Sequence, residues 1–436
     1  MSEVTVGQNM SADDKEANKQ SVGSTPATFV DDIDEPEGGL RAWLTVIGGW
    51  IICFCTFGYS SSFGVYQSLY LKAGAGSSSG ISWIGSVQLC LMFATGLIAG
   101  RLFDVGYFHH LMFFGTLLYC FALFMLSLAH SQDYYQLMLS QGLAAGIGGG
   151  CLLVPSLSAQ AQHWNKRRAF AMGIVLTGTG IGGIVYPIMI NQLFQTSAGF
   201  AWTVRYTAFM TLGLLVIANC IMTTRMPSAK ELQNRRSPDI MSILTDTPYM
   251  IAALGAFFCL WGLFYPYFYL QVFVEDHGLS PTLAFYTIAI LNAGSVPGRC
   301  LPNLIGDIIG PFNVFIPCCF ICGALMFAMF GCTSPGGVIV FSILFGFFSG
   351  ACIAINPPAL VSLSRNRDEM GLRIGIGYFI ASLALLTGTP INGALLNPGN
   401  KWANPTVFSG VVMIVGSFLL LIARRGVVER KHTQRV

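Results

Sequence analysis

The sequence predicts an all-α membrane protein, with twelve transmembrane helices arranged as two pseudo-symmetric six-helix bundles. Three observations carry this expectation. Apolar runs near the roughly 20 residues that span a bilayer recur twelve times along the chain. When these runs are drawn as alternating crossings, all but three of the 23 Lys and Arg residues fall on one side. Features of the first six runs also reappear, weakly, in the last six, as expected of a membrane protein built from two related halves.

Residues 1–42 are polar, Ser-rich and Gly-rich, and end in the acidic cluster Asp31, Asp32, Asp34, Glu35 and Glu37. Such a composition predicts a disordered cytosolic tail. It lacks a basic stretch followed by an apolar core, so it does not read as a cleaved secretory signal. Residues 43–224 are expected to form the N-terminal bundle, with spans at 43–67, 81–101, 111–130, 136–159, 169–192 and 202–223. A polar interdomain loop, 225–248, carries Arg225, Lys230, Arg235 and Arg236. The C-terminal bundle, 249–423, holds spans at 249–273, 282–303, 312–332, 338–361, 372–394 and 405–423, and 424–436 reads as a basic tail. The three basic residues off the majority side are Lys72, Arg205 and Lys401. The positive-inside rule therefore puts both termini in the cytosol, and Arg205 reads as an interfacial anchor for its helix.

Composition excludes several classes. The chain is 53% apolar and only 10% charged, with a mean hydropathy of +0.62, whereas soluble domains are roughly a quarter charged. The net charge of +3 is spread over short loops, which argues for a lipid bilayer and against nucleic acid as a partner. All 13 cysteines fall inside predicted spans, where no His or carboxylate completes a metal site, so they read as small hydrophobes. No metal and no cofactor is expected. A phosphate-cradling Gly-x-x-x-x-Gly-Lys-Ser/Thr loop is missing from the sequence, which argues against an ATP-driven pump. The histidines His109, His110, His130, His163, His277 and His432 sit in or beside loops, which argues against a membrane enzyme. A receptor or channel is opposed only by the six-plus-six repetition.

That repetition rests on two pairs of segments. The loop after the second span reads Gly100, Arg101, Leu102, Phe103, Asp104, Val105, Gly106, and its counterpart six spans later reads Asn303 to Gly310 with Asp307 and Gly306. The fifth span follows Lys166, Arg167 and Arg168 and runs through Gly173, Gly178, Gly180, Gly182 and Gly183 to Pro187. The eleventh follows Arg365 and Arg367 and runs through Gly371, Gly375 and Gly377 to Pro390. Small residues at this spacing let helix backbones approach closely. Tight packing explains any single glycine; the repetition in both halves is expected to serve conformational movement between the domains, with Gly100, Asp104, Asp307, Arg167, Arg168, Pro187 and Pro390 as its candidate residues.

These residues resemble the major facilitator superfamily, whose second-to-third loop carries a pattern close to Gly-x-x-x-Asp-x-x-Gly followed by basic residues. Gly100 and Asp104 match, whereas Val105 stands at the expected basic position and His109 and His110 replace the usual arginines. Within that superfamily the chain resembles the monocarboxylate porter family, especially its fungal branch. Three segments carry the likeness: Glu37, Gly38, Gly39 and Trp43; Trp164, Lys166, Arg167, Arg168, Ala169, Ala171 and Gly173; and Asn292, Ala293, Gly294, Ser295, Gly298, Arg299 and Pro302. The resemblance implies the major facilitator fold and a central path lined by the first, fourth, seventh and tenth spans. Those spans offer Tyr59, Ser62, Tyr66, Gln141, Ser156, Trp261, Tyr265, Tyr267, Tyr269 and Asn356 as substrate-binding candidates. For the tyrosines, an interfacial aromatic belt is the competing reading.

Departures from the family affect the mechanism. Animal members use a Lys in the first span and an Asp near the eighth-span Arg; here those positions hold the Ser60–Ser62 run and Ser295. Every acidic residue between 43 and 423 falls in a predicted loop or at its edge, so a coupled proton would have to ride on a His, a Tyr or the substrate. Drug exporters of the superfamily carry an Arg where this chain has Met138, three residues before Gln141, and a Gly-Pro pair where it has Tyr186 and Pro187. Arg299 reads as a lone intramembrane guanidinium about four residues from its span's cytosolic end, roughly 6 Å away. It either snorkels to the interface or binds a substrate anion bidentately, and the resemblance favours the second. The expectation is a monomeric transporter in a fungal plasma or vacuolar membrane that moves a small organic anion by alternating access, with export of a pathway metabolite as the alternative.

Overall fold

The computed structural model describes residues 38–197, 199–225, 240–366, 369–396 and 401–436. The expected disorder of residues 1–37 and most of the basic interdomain loop lie outside the described residues. Among the described residues, eleven helices are long and apolar enough to cross a membrane. In chain order these are α1 (Leu40–Ala73), α2 (Gly80–Asp104), α3 (Phe108–Leu128), α4 (Tyr134–His163), α5 (Arg168–Phe194), α6 (Gly199–Ile221), α7 (Thr247–Asp276), α9 (Pro311–Gly331), α10 (Pro335–Ser362), α11 (Met370–Leu396) and α12 (Ala403–Lys431). The predicted eighth span is α8, Pro281–Ile309. It falls short on apolarity because Asn292, Ser295, Arg299, Asn303 and Asp307 lie along it.

Several helices are broken where the sequence weakens the backbone ladder. In α1, a widened turn at Phe54–Gly58 is followed by a break at Ser61 and Ser62, beside which Ser60 and Ser61 return their hydroxyls to the carbonyls of Thr56 and Phe57. Hydroxyls bonded back to the preceding turn loosen a helix. In α7 the ladder is interrupted at Phe264, two residues before Pro266, whose ring and missing N–H forbid a regular turn. The seam between the first six and last six helices is formed by α5 against α8 and by α2 against α11.

Some expected boundaries move. The last helix continues to Lys431, so most of the predicted basic tail extends the helix instead. The chain also enters α1 at Leu40, where Trp43 packs edge-on against Trp164 at 5.2 Å. Two of the segments that carried the family resemblance thus touch.

Candidate functional site

A cleft of about 150 Å³, open to solvent, lies between the two halves and is lined from α1, α2, α5, α7 and α8. Its lining comes from the end of the bundle opposite Asp104 and Asp307. The walls are largely aromatic and aliphatic: Phe57, Phe63, Leu89, Ile184, Phe264, Phe268 and Phe285. The polar groups are neutral. They are Ser60, Ser61, Gln67, Tyr267, Gln271 and Asn292. Tyr267 shares a hydrogen bond with Ser349 at 3.1 Å, Gln67 donates to Ser82 at 3.0 Å, and Gln88 donates to Ser60 at 3.1 Å.

Below the cleft the path narrows at an aromatic neck. Phe57 and Phe264, from opposite halves, have ring centroids 6.3 Å apart. Phe57 also meets Phe93, which contacts Tyr378 at 4.7 Å. Two smaller cavities adjoin this neck, one lined by Trp261, Tyr265, Tyr269 and Asn392 and the other by Thr179, Asn356 and Tyr378.

The sequence candidates divide accordingly. Trp261, Tyr265 and Asn356 line the smaller cavities, and the side-chain oxygen of Asn356 is buried without a partner. Tyr265 is itself committed to Thr406 through a hydrogen bond of 3.2 Å. Tyr59, Ser62, Tyr66 and Gln141 turn away from these cavities into the core of the first six helices. There Tyr59 packs on Tyr66, Tyr119 and Tyr186, Gln141 accepts from Tyr70 at 2.7 Å, and Ser62 returns its hydroxyl to Tyr59. Pro187 lines the open cleft. Gln67 and Gln271 belong to the same cleft and were not singled out in sequence, because a glutamine near a helix end reads as ordinary interface.

Arg299 lies deeper than its position in sequence implied. Its helix continues ten residues beyond it, roughly 15 Å, and its side chain is 1% exposed. The guanidinium is packed between α8 and α5, with Nη1 against Gly180, so the snorkelling alternative fails. Nε and Nη1 are buried without a hydrogen-bond partner. Nor is it the lone buried guanidinium: Arg373, near the start of α11, is equally buried. Its Nη1 meets Asp246 at 3.0 Å and its Nε meets Glu369 at 3.1 Å, while Arg430 reaches Asp246 at 3.2 Å. Asp246 does lie in the connection just ahead of α7, as expected, and the sequence reading missed this network because it gave no sign that the residue is buried there.

The paired aspartates close the end away from the cleft. Asp104 accepts from the backbone N–H groups of Gly371 and Leu372 at 3.0 and 2.6 Å. Asp307 accepts from those of Ala169 and Phe170, both at 2.8 Å. Each carboxylate therefore caps the first turn of a helix in the opposite half, where unpaired N–H groups and the helix dipole favour negative charge. Both aspartates belong to the final turns of α2 and α8, and not to the loops beyond. Gly100 sits directly on the carbonyl of Gly371, leaving no room for a Cβ. Arg168 opens α5 and bonds to Trp164 and Asn165, while Arg167 before it is exposed. Pro390 lies within α11.

Two helical halves around a central cleft, clamped at one end across their seam, define a membrane transporter. The sequence profile of the Major Facilitator Superfamily matches residues 49–367, and the chain belongs to that superfamily. It is 39% identical over 391 residues to the aspyridones efflux protein apdF of Emericella nidulans, covering 89% of this chain and 79% of the relative. It is 38% identical to the MFS-type transporter dbaD of the same species, covering 93% and 91%, and 38% identical to the agnestins efflux protein AgnL12 of Paecilomyces divaricatus, covering 88% and 87%. Among solved structures, the fold is similar to the human organic anion transporter MFSD10 at a TM-score of 0.68 and 13% identity, covering 87% of this chain and 99% of that one. It is also similar to FucP in its outward conformation at 0.66 and 15%, with the same coverage.

Proposed function

We propose that this protein exports an apolar, weakly acidic secondary metabolite from a fungal cell by alternating access. The observation that carries this reading is the neutral, aromatic-walled cleft between the halves. Such a surface suits a lipophilic molecule better than a small, strongly hydrated monocarboxylate. Relatives named as efflux proteins for aspyridones and agnestins support it. The finer placement in the monocarboxylate porter family rests on the motifs around Trp164 and Arg299, and an acidic group on the substrate reconciles that likeness with the cleft.

On this reading the Asp-capped end is cytosolic, as the basic-residue distribution implies, and the cleft faces out. One chain holds both halves of the path, so a monomer suffices. The plasma membrane is the destination that export requires. A coupled proton would travel on the substrate's own acid or on a Tyr or His, since the cleft residues include no carboxylate.

The test is a deletion strain grown under conditions that induce secondary metabolism, with metabolites profiled separately in cells and medium. Retention of one lipophilic acid inside the cells, reversed by restoring the gene, is the expected result. An unchanged distribution together with lost uptake of short monocarboxylates would replace export with import of a small organic anion. Orientation is checked with cysteines at Ser77 and Arg235, which an impermeant reagent should label from opposite faces only.

A further inference from the structure

Five polar residues, Asn292, Ser295, Arg299, Asn303 and Asp307, recur at three- and four-residue spacing along α8. That spacing puts them on one helix face. The face lies against the glycines of α5: a Cβ on Gly183 would meet Asn292, one on Gly180 would meet Ser295 and Arg299, and one on Gly173 would meet Asn303. Glycine offers no side chain to bond with. Three polar atoms are consequently left buried without partners one turn apart, namely Arg299 Nε, Arg299 Nη1 and Asn303 Oδ1. The orientation of the Asn303 amide is fixed, because its Nδ2 donates to the Arg299 carbonyl at 2.8 Å, which requires the nitrogen on that side. Asn303 is fully buried.

Unpaired buried polar groups are costly, and here they converge on one seam that must part when the Asp-capped end opens. We propose that Arg299 and Asn303 form an inner substrate subsite, sealed by α5 in this state and exposed when α5 and α8 separate. Two donors beside one acceptor define the ligand chemistry: an anionic oxygen for the guanidinium and a neighbouring O–H or N–H for the Asn303 carbonyl. Hydroxy acids carry that pair; a simple carboxylate carries only half of it. Asn303 is then the specificity-determining residue, and the proposal rests on Arg299 being the anion partner in the exporter proposed above.

The experiment uses the full-length protein in detergent and three probes of one shape, titrated by calorimetry: mandelate, its O-methyl ether α-methoxyphenylacetate, and mandelate methyl ester. Mandelate should bind about threefold to tenfold more tightly than the ether, as expected for one hydrogen bond. Asn303→Leu should erase that difference, so that mandelate binds no more tightly than the ether, and Asn303→Ala serves if the Leu variant does not fold. Arg299→Lys should weaken both acids, and the ester should not bind. Equal binding of mandelate and ether by the wild type would overturn the role of Asn303 and leave the anion reading of Arg299 intact. Binding of the ester as tightly as the acid, or no saturable binding of mandelate, would overturn the subsite as a whole.

Discussion

The two seams that join the halves are built alike and filled differently. At α2–α11, Gly96 and Gly100 face Gly375 and Gly371 at backbone contact, and Asp104 caps the far helix. At α5–α8, Asp307 does the same for α5, but between cap and cleft the glycines of α5 cover Arg299, Asn303 and Asn292. The first seam is backbone against backbone; the second adds to such contact, at Gly173 on the Arg299 carbonyl, polar side chains of which Arg299 and Asn303 keep unpaired atoms. A repeated clamp can therefore serve two purposes. One copy holds the bundle shut, and the other also encloses groups that become useful only when it opens.

The largest expected effect tests the anchoring of the first seam. Arg373→Gln leaves Asp246 buried with less compensation, which should cost on the order of 3–5 kcal/mol. Thermal unfolding and surface yield should both fall sharply. If stability is unchanged, the network at the start of α11 is not what secures that helix.

Arg299 should respond with the opposite sign. Because its charge has no partner in the closed seam, Arg299→Leu should raise thermal stability while transport is lost, whereas Arg373→Gln lowers both. A drop in stability for Arg299→Leu would mean that the guanidinium is satisfied where it sits, and the contrast between the seams would disappear.

Smaller effects separate backbone from side-chain contact. A Cβ on Gly100 would lie 2.1 Å from the Gly371 carbonyl oxygen, while one on Gly180 would lie 2.4 Å from a guanidinium nitrogen. A backbone carbonyl cannot step aside, but the end of an arginine can. Gly100→Ala should therefore incur overpacking of about 1–3 kcal/mol and shift the protein toward the state open at the Asp-capped end, read out by increased labelling of a cysteine placed there. Gly180→Ala should shift it less. Equal shifts would show that Arg299 is as immovable as backbone.

The smallest change expected is in the caps. Asp104→Asn and Asp307→Asn each keep part of the hydrogen bonding and lose the charge, worth about 0.5–2 kcal/mol. Maximal rate should change while KM holds, and the two should be similar in size. A KM rise confined to Asp307→Asn would link that cap to the subsite one turn away.

The sequence by itself determined the membrane class, the twelve helices and the pairing of Asp104 with Asp307, because bilayer thickness sets span length and a doubled architecture repeats its signals. It also made Arg299 conspicuous, since any guanidinium in an apolar run is costly. Tertiary structure decided the rest. Tyr59 and Tyr66 share α1 with cleft residues, and Gln141 shares α4 with Leu153 of a smaller cavity, yet a helix turns 100° per residue, and only packing determines which face meets the path. Asp246 lies in the expected connection, yet its burial shows only where α11 and α12 bring Arg373 and Arg430 to it. The isolation of Arg299 and Asn303 likewise depends on what α5 lacks at Gly173 and Gly180, and a missing side chain on a neighbouring helix leaves no mark on the sequence of α8.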